Sequence, residues 1–215
     1  MNIRSGAVST TDNAKGRTHF HHFGEGEYDQ SEQMIQQLLE EAGNGNVPQS
    51  LVNVNASGVE AAPSVNYDQS PETYIGYDRA DNFASPGGIV ENERHVYTLA
   101  SPQLNQWSLS GDWTVRGENA VLNEAGGSIV YRFHARDLHL VLGPAADGKP
   151  IRFRVTINGN GPGVDHGTDT DTDGQGVVDS QRLYQLVRQS GAIRERTFAI
   201  EFLDPGVQAY AFTFG

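Results

Sequence analysis

From residue 107 onward the chain is a succession of short apolar alternations, each closed by Gly, Pro, Asp or Asn. The clearest is "IRFRVTI", where Ile151, Phe153, Val155 and Ile157 share one parity and Arg152, Arg154 and Thr156 the other. Side chains alternate across a strand with period two, so this pattern describes a half-buried strand. "QWSLSGDWTV" sets Trp107, Leu109, Trp113 and Val115 against Ser108, Ser110, Asp112 and Thr114. "SIVYRF", "DLHLVL", "RLYQLVR", "RTFAIEFL" and "VQAYAFTF" complete the series. Short strands at turn-punctuated spacing, with no strong helix between them, predict an antiparallel β-sandwich or jelly roll. This texture begins at about residue 71, so residues 71–215 read as one β domain.

The first part of the chain is built differently. Residues 29–42 have helical period: Met34, Ile35, Leu38, Leu39 and Ala42 form one stripe. Asp29 and Glu32 have capping-box spacing, and Gly43 follows as the residue able to take a left-handed conformation. "RTHFHHF" (17–23) has strand character and "DNAKG" (12–16) is a turn, so residues 1–43 predict a hairpin followed by a helix. Residues 44–70 are rich in Asn, Ser, Gly and Pro without periodicity and read as a linker.

Composition removes several classes of function. The formal net charge of −12 opposes nucleic acid and anionic lipid as partners. The absence of cysteine removes disulfides, thiolate nucleophiles and Cys-ligated metals together. No run approaches the ~18 apolar residues of a membrane span. "MNIRSGAVSTTDNAKG" has no apolar region of signal-peptide type, so the chain as written is expected in the cytoplasm.

Three groups of residues bear on binding. Trp107 and Trp113 would suit a sugar-stacking platform, but their parity with Leu109 and Val115 assigns them to the core. Arg132, His134, His139, Arg152 and Arg154 all lie on polar parities. If their three strands form a meander, the five share one sheet face, where guanidinium groups would suit a carboxylate or an array of sugar hydroxyls; solvated outer-face charges paired with local acids are the plainer reading. Asp169, Asp171 and Asp173 stand at positions one, three and five of a calcium loop, with Gly174 at six. Ser180 occupies position twelve, where a calcium loop of that type needs a bidentate Glu, so Ca²⁺ competes with a simple acidic turn. His19, His21 and His22 would form a transition-metal set only with a further ligand that the segment lacks.

Two sets of motifs carry a family resemblance. "HHFGEGEYDQSEQMIQQLL" resembles the end of a TlpA/DipZ-type thioredoxin domain. "SPETYIGYDRADNFASPGG", "LNQWSLSGDWTV", "YRFHARDLHLVLGP", "RLYQLVRQ" and "FLDPGVQAYAFTFG" together resemble the domain that follows thioredoxin in DipZ-like cytochrome c biogenesis proteins. The resemblance implies a sandwich of carbohydrate-binding-module type, displayed outside the cytoplasmic membrane. It also implies a truncated thioredoxin domain, since no position matches the Cys-x-x-Cys pair. The expected function is therefore a non-catalytic binding or accessory module whose partner is a saccharide, an envelope glycan or a protein. The alternative is an oligomeric interaction module that pairs through its N-terminal segment and binds no small ligand.

Overall fold

A computed structural model of the protein describes residues 8–12, 18–23, 28–44, 47–48, 50–51, 58 and 69–215, with side chains described from residue 32 onward. The chain divides into two compact units, Met1–Pro63 and Ser64–Gly215. Most of the expected linker, 44–70, lies outside the described residues. Among the described residues no helix is long and apolar enough to cross a membrane.

In the first unit β1 (Val8–Asp12) pairs antiparallel with β2 (Thr18–Phe23), and α1 (Tyr28–Glu41) follows. This is the hairpin and helix expected from the sequence. The helix ends as its glycine predicts. Gly43, at φ +90°, donates its N–H to Glu40 O (2.9 Å), and Asn44 donates to Leu39 O (3.1 Å). That pair of bonds is a Schellman closure, which satisfies carbonyls the helix would otherwise leave open. Leu38 is buried, whereas Ile35 and Leu39 of the same stripe are exposed by 49% and 41%.

The second unit holds eleven strands: β3 (Thr73–Tyr74), β4 (Arg94–Tyr97), β5 (Trp107–Val115), β6 (Ala120–Leu122), β7 (Ser128–His134), β8 (Asp137–Gly143), β9 (Ile151–Ile157), β10 (Gln175–Val178), β11 (Arg182–Arg188), β12 (Glu195–Phe202) and β13 (Gln208–Phe214). They form one curled antiparallel sheet in the order β10-β9-β12-β7-β5-β6-β13-β8-β11, with β3 on β13 and β4 on β5. The fold is a β-sandwich, as the alternations predict. Strand β5 belongs to both layers: residues 107–110 pair with β7, and residues 111–115 pair with β4 and β6. The bend falls at Gly111, whose φ is +92°. A Cβ there would sit 2.7 Å from the Cα of Gly127, so the strand can fold over only without one.

Both tryptophans lie in the core, as their parity predicts, and both are fully buried. Each indole N–H reaches a backbone carbonyl, Trp107 that of Asp81 (2.9 Å) and Trp113 that of Ser110 (2.7 Å). Trp113 meets Phe202 of the other layer edge to face at 5.9 Å. Ser108, expected outside, is buried with its hydroxyl directed to Ala100 O (3.5 Å), because the segment before β5 covers this end of the sheet.

The expected meander of β7, β8 and β9 does not form. Strand β7 lies between β5 and β12, β9 between β12 and β10, and β8 in the other layer between β11 and β13. The short turn after His134 crosses from one layer to the other instead of forming a hairpin. Either geometry buries the apolar parities of both strands, and the choice is made by partners from β11 to β13, far along the chain.

Trp113→Ala is expected to destabilise the fold by about 3–5 kcal/mol, a large share of the ~5–15 kcal/mol net stability of a domain. Urea denaturation of the full chain measures it. An unchanged midpoint would place the ring outside the core.

Candidate functional site

The five basic positions separate. Arg132, His134, Arg152 and Arg154 belong to the layer of β7 and β9; His139 belongs to the opposite layer. Arg132 pairs with Glu195 of β12. Arg152 holds Asp204 with Nε and Nη2 at 2.9 and 2.8 Å, and the carboxylate also accepts its backbone N–H at 3.0 Å. These bonds hold the Asp204 carboxyl down at about 2. Along β12, Arg132 stands opposite Thr197, while the Arg152 carbonyl reaches Leu203, so the two backbone positions are offset by six residues, about 20 Å at a strand's rise, and each guanidinium holds its own acid, Glu195 or Asp204. They form no convergent site. Arg154, opposite Glu201 and Gln175, is exposed and makes no ion pair among the described residues. Exposed pairs such as Arg132–Glu195 contribute little, typically ~0–1 kcal/mol.

In the Asp-rich segment Asp169, Asp171 and Gly174 each have a structural role. Asp169 is half-buried; Oδ1 accepts from Arg182 Nη2 (2.8 Å) and Oδ2 from the Gln185 N–H (2.8 Å). Asp171 Oδ1 accepts the N–H groups of Asp173 (3.0 Å) and Gln175 (2.8 Å), closing the turn from within. Gly174 has φ +82°, and a Cβ there would lie 2.0 Å from Val155 O, so it is the residue that lets the turn dock on β9. Among the described residues no three His, Asp or Glu side chains are placed to hold a metal ion. The calcium-like spacing is that of a tight turn joined to β11 through Asp169. His19, His21 and His22 run along β2, but their side chains fall outside those described.

His139 has the most unusual surroundings. It alternates with the core-facing Leu138, Leu140 and Leu142 and so points to the outer face of its layer, yet it is only 8% exposed. Gln185 and Thr213 flank it across the two neighbouring strands. Two residues earlier Asp137, 1% exposed, accepts from Arg188 Nη1 at 2.6 Å and from Gln185 Nε2 at 3.1 Å. Burial pushes the Asp137 carboxyl up, opposed by Arg188 and Gln185. Burial likewise pushes His139 down to about 4; a backbone hydrogen bond at Thr213 and the charge of Asp169 oppose this, while Arg188 adds to it. Its Nε2 is buried and has no hydrogen-bond partner. A neutral imidazole with one orphaned nitrogen, set beside a buried ion pair, is costly to maintain.

A strap, residues 165–170, lies along the edge of β11 that β8 does not occupy, and its Thr168 N–H donates to Gln185 Oε1 (3.2 Å). Gly167 N–H donates to Leu186 O (3.1 Å), Asp169 N–H to Gln185 O (3.2 Å), and the Thr170 hydroxyl to Leu186 O (3.0 Å). Asp165 Oδ1 accepts the Ser190 N–H (2.8 Å) and hydroxyl (2.7 Å). The charge of Asp169 is felt at His139, but its carboxylate bonds Arg182 and Gln185. Sequence reasoning missed Asp137, Gln185 and Arg188: Asp137 and Gln185 show only as polar residues on outer parities, and Arg188 shares the parity of the buried Tyr184 and Leu186 until the register shift between Gln185 and Val187 brings it opposite Asp137.

Asp171→Ala is expected to lose about 1 kcal/mol, the net contribution of a hydrogen bond or two, or roughly 2–4 °C in Tm for a chain of this size. Differential scanning calorimetry in EDTA and in millimolar Ca²⁺ should give the same loss. A calcium-dependent rise in the parent protein that the variant lacks would restore the metal.

Over 151 residues, 67% of this chain, the sequence is 27% identical to Protein DipZ of Mycobacterium bovis, and to the same degree to Protein DipZ of Mycobacterium tuberculosis. Each match covers 20% of the relative, so the chain spans about a fifth of the length of these curated proteins. Among solved structures, a two-domain esterase active on acetylated mannans is 8% identical, with a TM-score of 0.34 over 84% of this chain and 44% of that one. That likeness is too loose to carry an argument. Residues 70–215, more than half of the chain, match the model of the thioredoxin like C-terminal domain, and the protein belongs to that family.

Proposed function

We propose that the chain is a non-catalytic accessory module of a DipZ-like thiol-disulfide protein. The observation that carries this reading is chemical. Disulfide exchange proceeds through attack by a thiolate, and the sequence contains no cysteine. The module's contribution is then binding. A saccharide or envelope glycan is the ligand class we assign, on the outer face of the layer formed by β7, β12, β9 and β10. Support comes from Arg154, an exposed guanidinium without an ion pair among the described residues, with Thr156 next along the same parity. The buried tryptophans supply no stacking platform, so recognition would rest on polar contacts. The expected outcome is no turnover above the protein-free control in insulin reduction with dithiothreitol, and retention on a glycan array that Arg154→Ala weakens several-fold. Turnover would overturn the accessory reading; an array with no signal would overturn the ligand class.

The exposed Ile35 and Leu39 on α1 favour a second reading, in which the N-terminal unit pairs with a partner protein chain. Sedimentation of the full chain and of Ile35→Glu/Leu39→Glu tests it. Self-association lost in the variant supports a homo-oligomer, and a monomer at all concentrations rules that out.

A further inference from the structure

Tyr210 sits where the register of β13 against β8 shifts, between Ala209 and Ala211. An irregularity of this kind re-aims a side chain. Here the half-buried ring is turned across β8 at Gly143, which lies on the outward parity of that strand, opposed to the buried Leu138, Leu140 and Leu142. A Cβ on Gly143 would stand 3.6 Å from Tyr210 Cε2 and 3.6 Å from Cβ and Cγ of Gln181, so the ring and the Gln181 stem stand over bare backbone. The phenol then reaches two amides: its hydroxyl lies 3.1 Å from Gln208 Oε1 and 3.4 Å from Gln181 Oε1. Gln208 is fixed in turn, donating from Nε2 to Pro144 O (3.0 Å) and accepting from Asn119 Nδ2 (3.2 Å). Gln181 is exposed, and its Nε2 makes no hydrogen bond among the described residues.

We infer that Tyr210 is the platform of a saccharide site for a β-linked chain of equatorial pyranoses, glucose or N-acetylglucosamine in type. Such a sugar has a flat face of axial C–H groups, which an aromatic ring receives, and a rim of equatorial hydroxyls, which amides and a phenol at the ring's edge meet. The polar groups at this edge are uncharged, which suits a neutral chain; Arg182, next to Gln181, is turned to Asp169 and over the Tyr184 ring. Tyr74 of β3 looks out on the same side, but the Arg79 guanidinium lies 3.5 Å over its ring, whereas no ring or cation is stacked on Tyr210 among the described residues. Beside the platform the outward residues Tyr74, Ala211, Val141 and Leu183 stand in register across β3, β13, β8 and β11. That apolar row is about 14 Å across, enough for an oligosaccharide. The site rests on the saccharide reading above for its ligand class, but it lies in the layer opposite Arg154 and does not depend on that residue.

Saturation-transfer NMR of the full chain with cellotriose and with N-acetylchitotriose, against α-linked maltotriose, tests the site. The expected result is transfer to the ring C–H protons of a β-linked sugar, with affinity falling roughly ten-fold in Tyr210→Ala. Tyr210→Phe keeps the ring and should lose only about three-fold. The inference is overturned if neither β-linked sugar shows transfer, if maltotriose binds as well, or if Tyr210→Ala binds as the parent does. Binding that Arg154→Ala removes and Tyr210→Ala keeps would sustain the opposite layer and overturn this site. A glycan array that retains the protein while neither β-linked sugar shows transfer would overturn this site and leave the saccharide reading standing. If Tyr210→Ala does not fold, Tyr210→Leu, which keeps bulk over Gly143 without an aromatic face, carries the same expectation.

Discussion

The passage of one strand through both layers is the constraint on which the rest of the sandwich depends. Strand β5 pairs with β7 over its first half and with β4 and β6 over its second. It therefore carries backbone pairing from one layer into the other. The bend needs a left-handed φ at Gly111 and no Cβ between it and Gly127, so two glycines from neighbouring strands are locked together. On either side of the bend stand Trp107 and Trp113. Their burial is tolerable because each indole N–H finds a carbonyl, without which a buried donor would cost roughly 1–3 kcal/mol. Bend, glycine pair and both indoles form one unit.

The two outer faces solve different problems. On the β9–β12–β7 face, charges stand apart in local pairs such as Arg152 with Asp204, which keep an exposed face polar. On the β8–β11 face, polar groups are drawn inward. Asp137, Gln185 and Arg188 satisfy one another, and the strap shields them while occupying the edge of β11. His139 is the member left incomplete.

The fold was legible because two-residue alternation is a local property. Ile151 to Ile157 buries every second residue whatever the neighbouring strands are, and the helix over 29–42 with its closing Gly43 reads equally directly. The candidate site was legible only in part. Arg132, His134, His139, Arg152 and Arg154 were correctly placed on outward parities, but parity states which side of a strand a residue faces and not which layer the strand joins. The calcium-like spacing at 169–174 has two readings for a related reason. An Asp that ties a turn and an Asp that binds a cation look alike until the acceptors of their hydrogen bonds are known.

What the sequence by itself determined is the seven longer strands of the second unit, from β5 to β13 without β6 and β10, the inward apolar residues along them, the core position of both tryptophans and the absence of thiol chemistry. These follow from period-two geometry and from composition, and neither depends on distant contacts. Tertiary structure alone decided the order of strands and, through it, every cluster. Pairing of β8 with β11 and β13 joins residues from about forty to about seventy-five positions apart. No local preference encodes such a pairing, because it is selected by the burial of all apolar faces at once. It put His139 in the layer opposite Arg132, Arg152 and Arg154, in the same sheet as Asp137, Gln185 and Arg188.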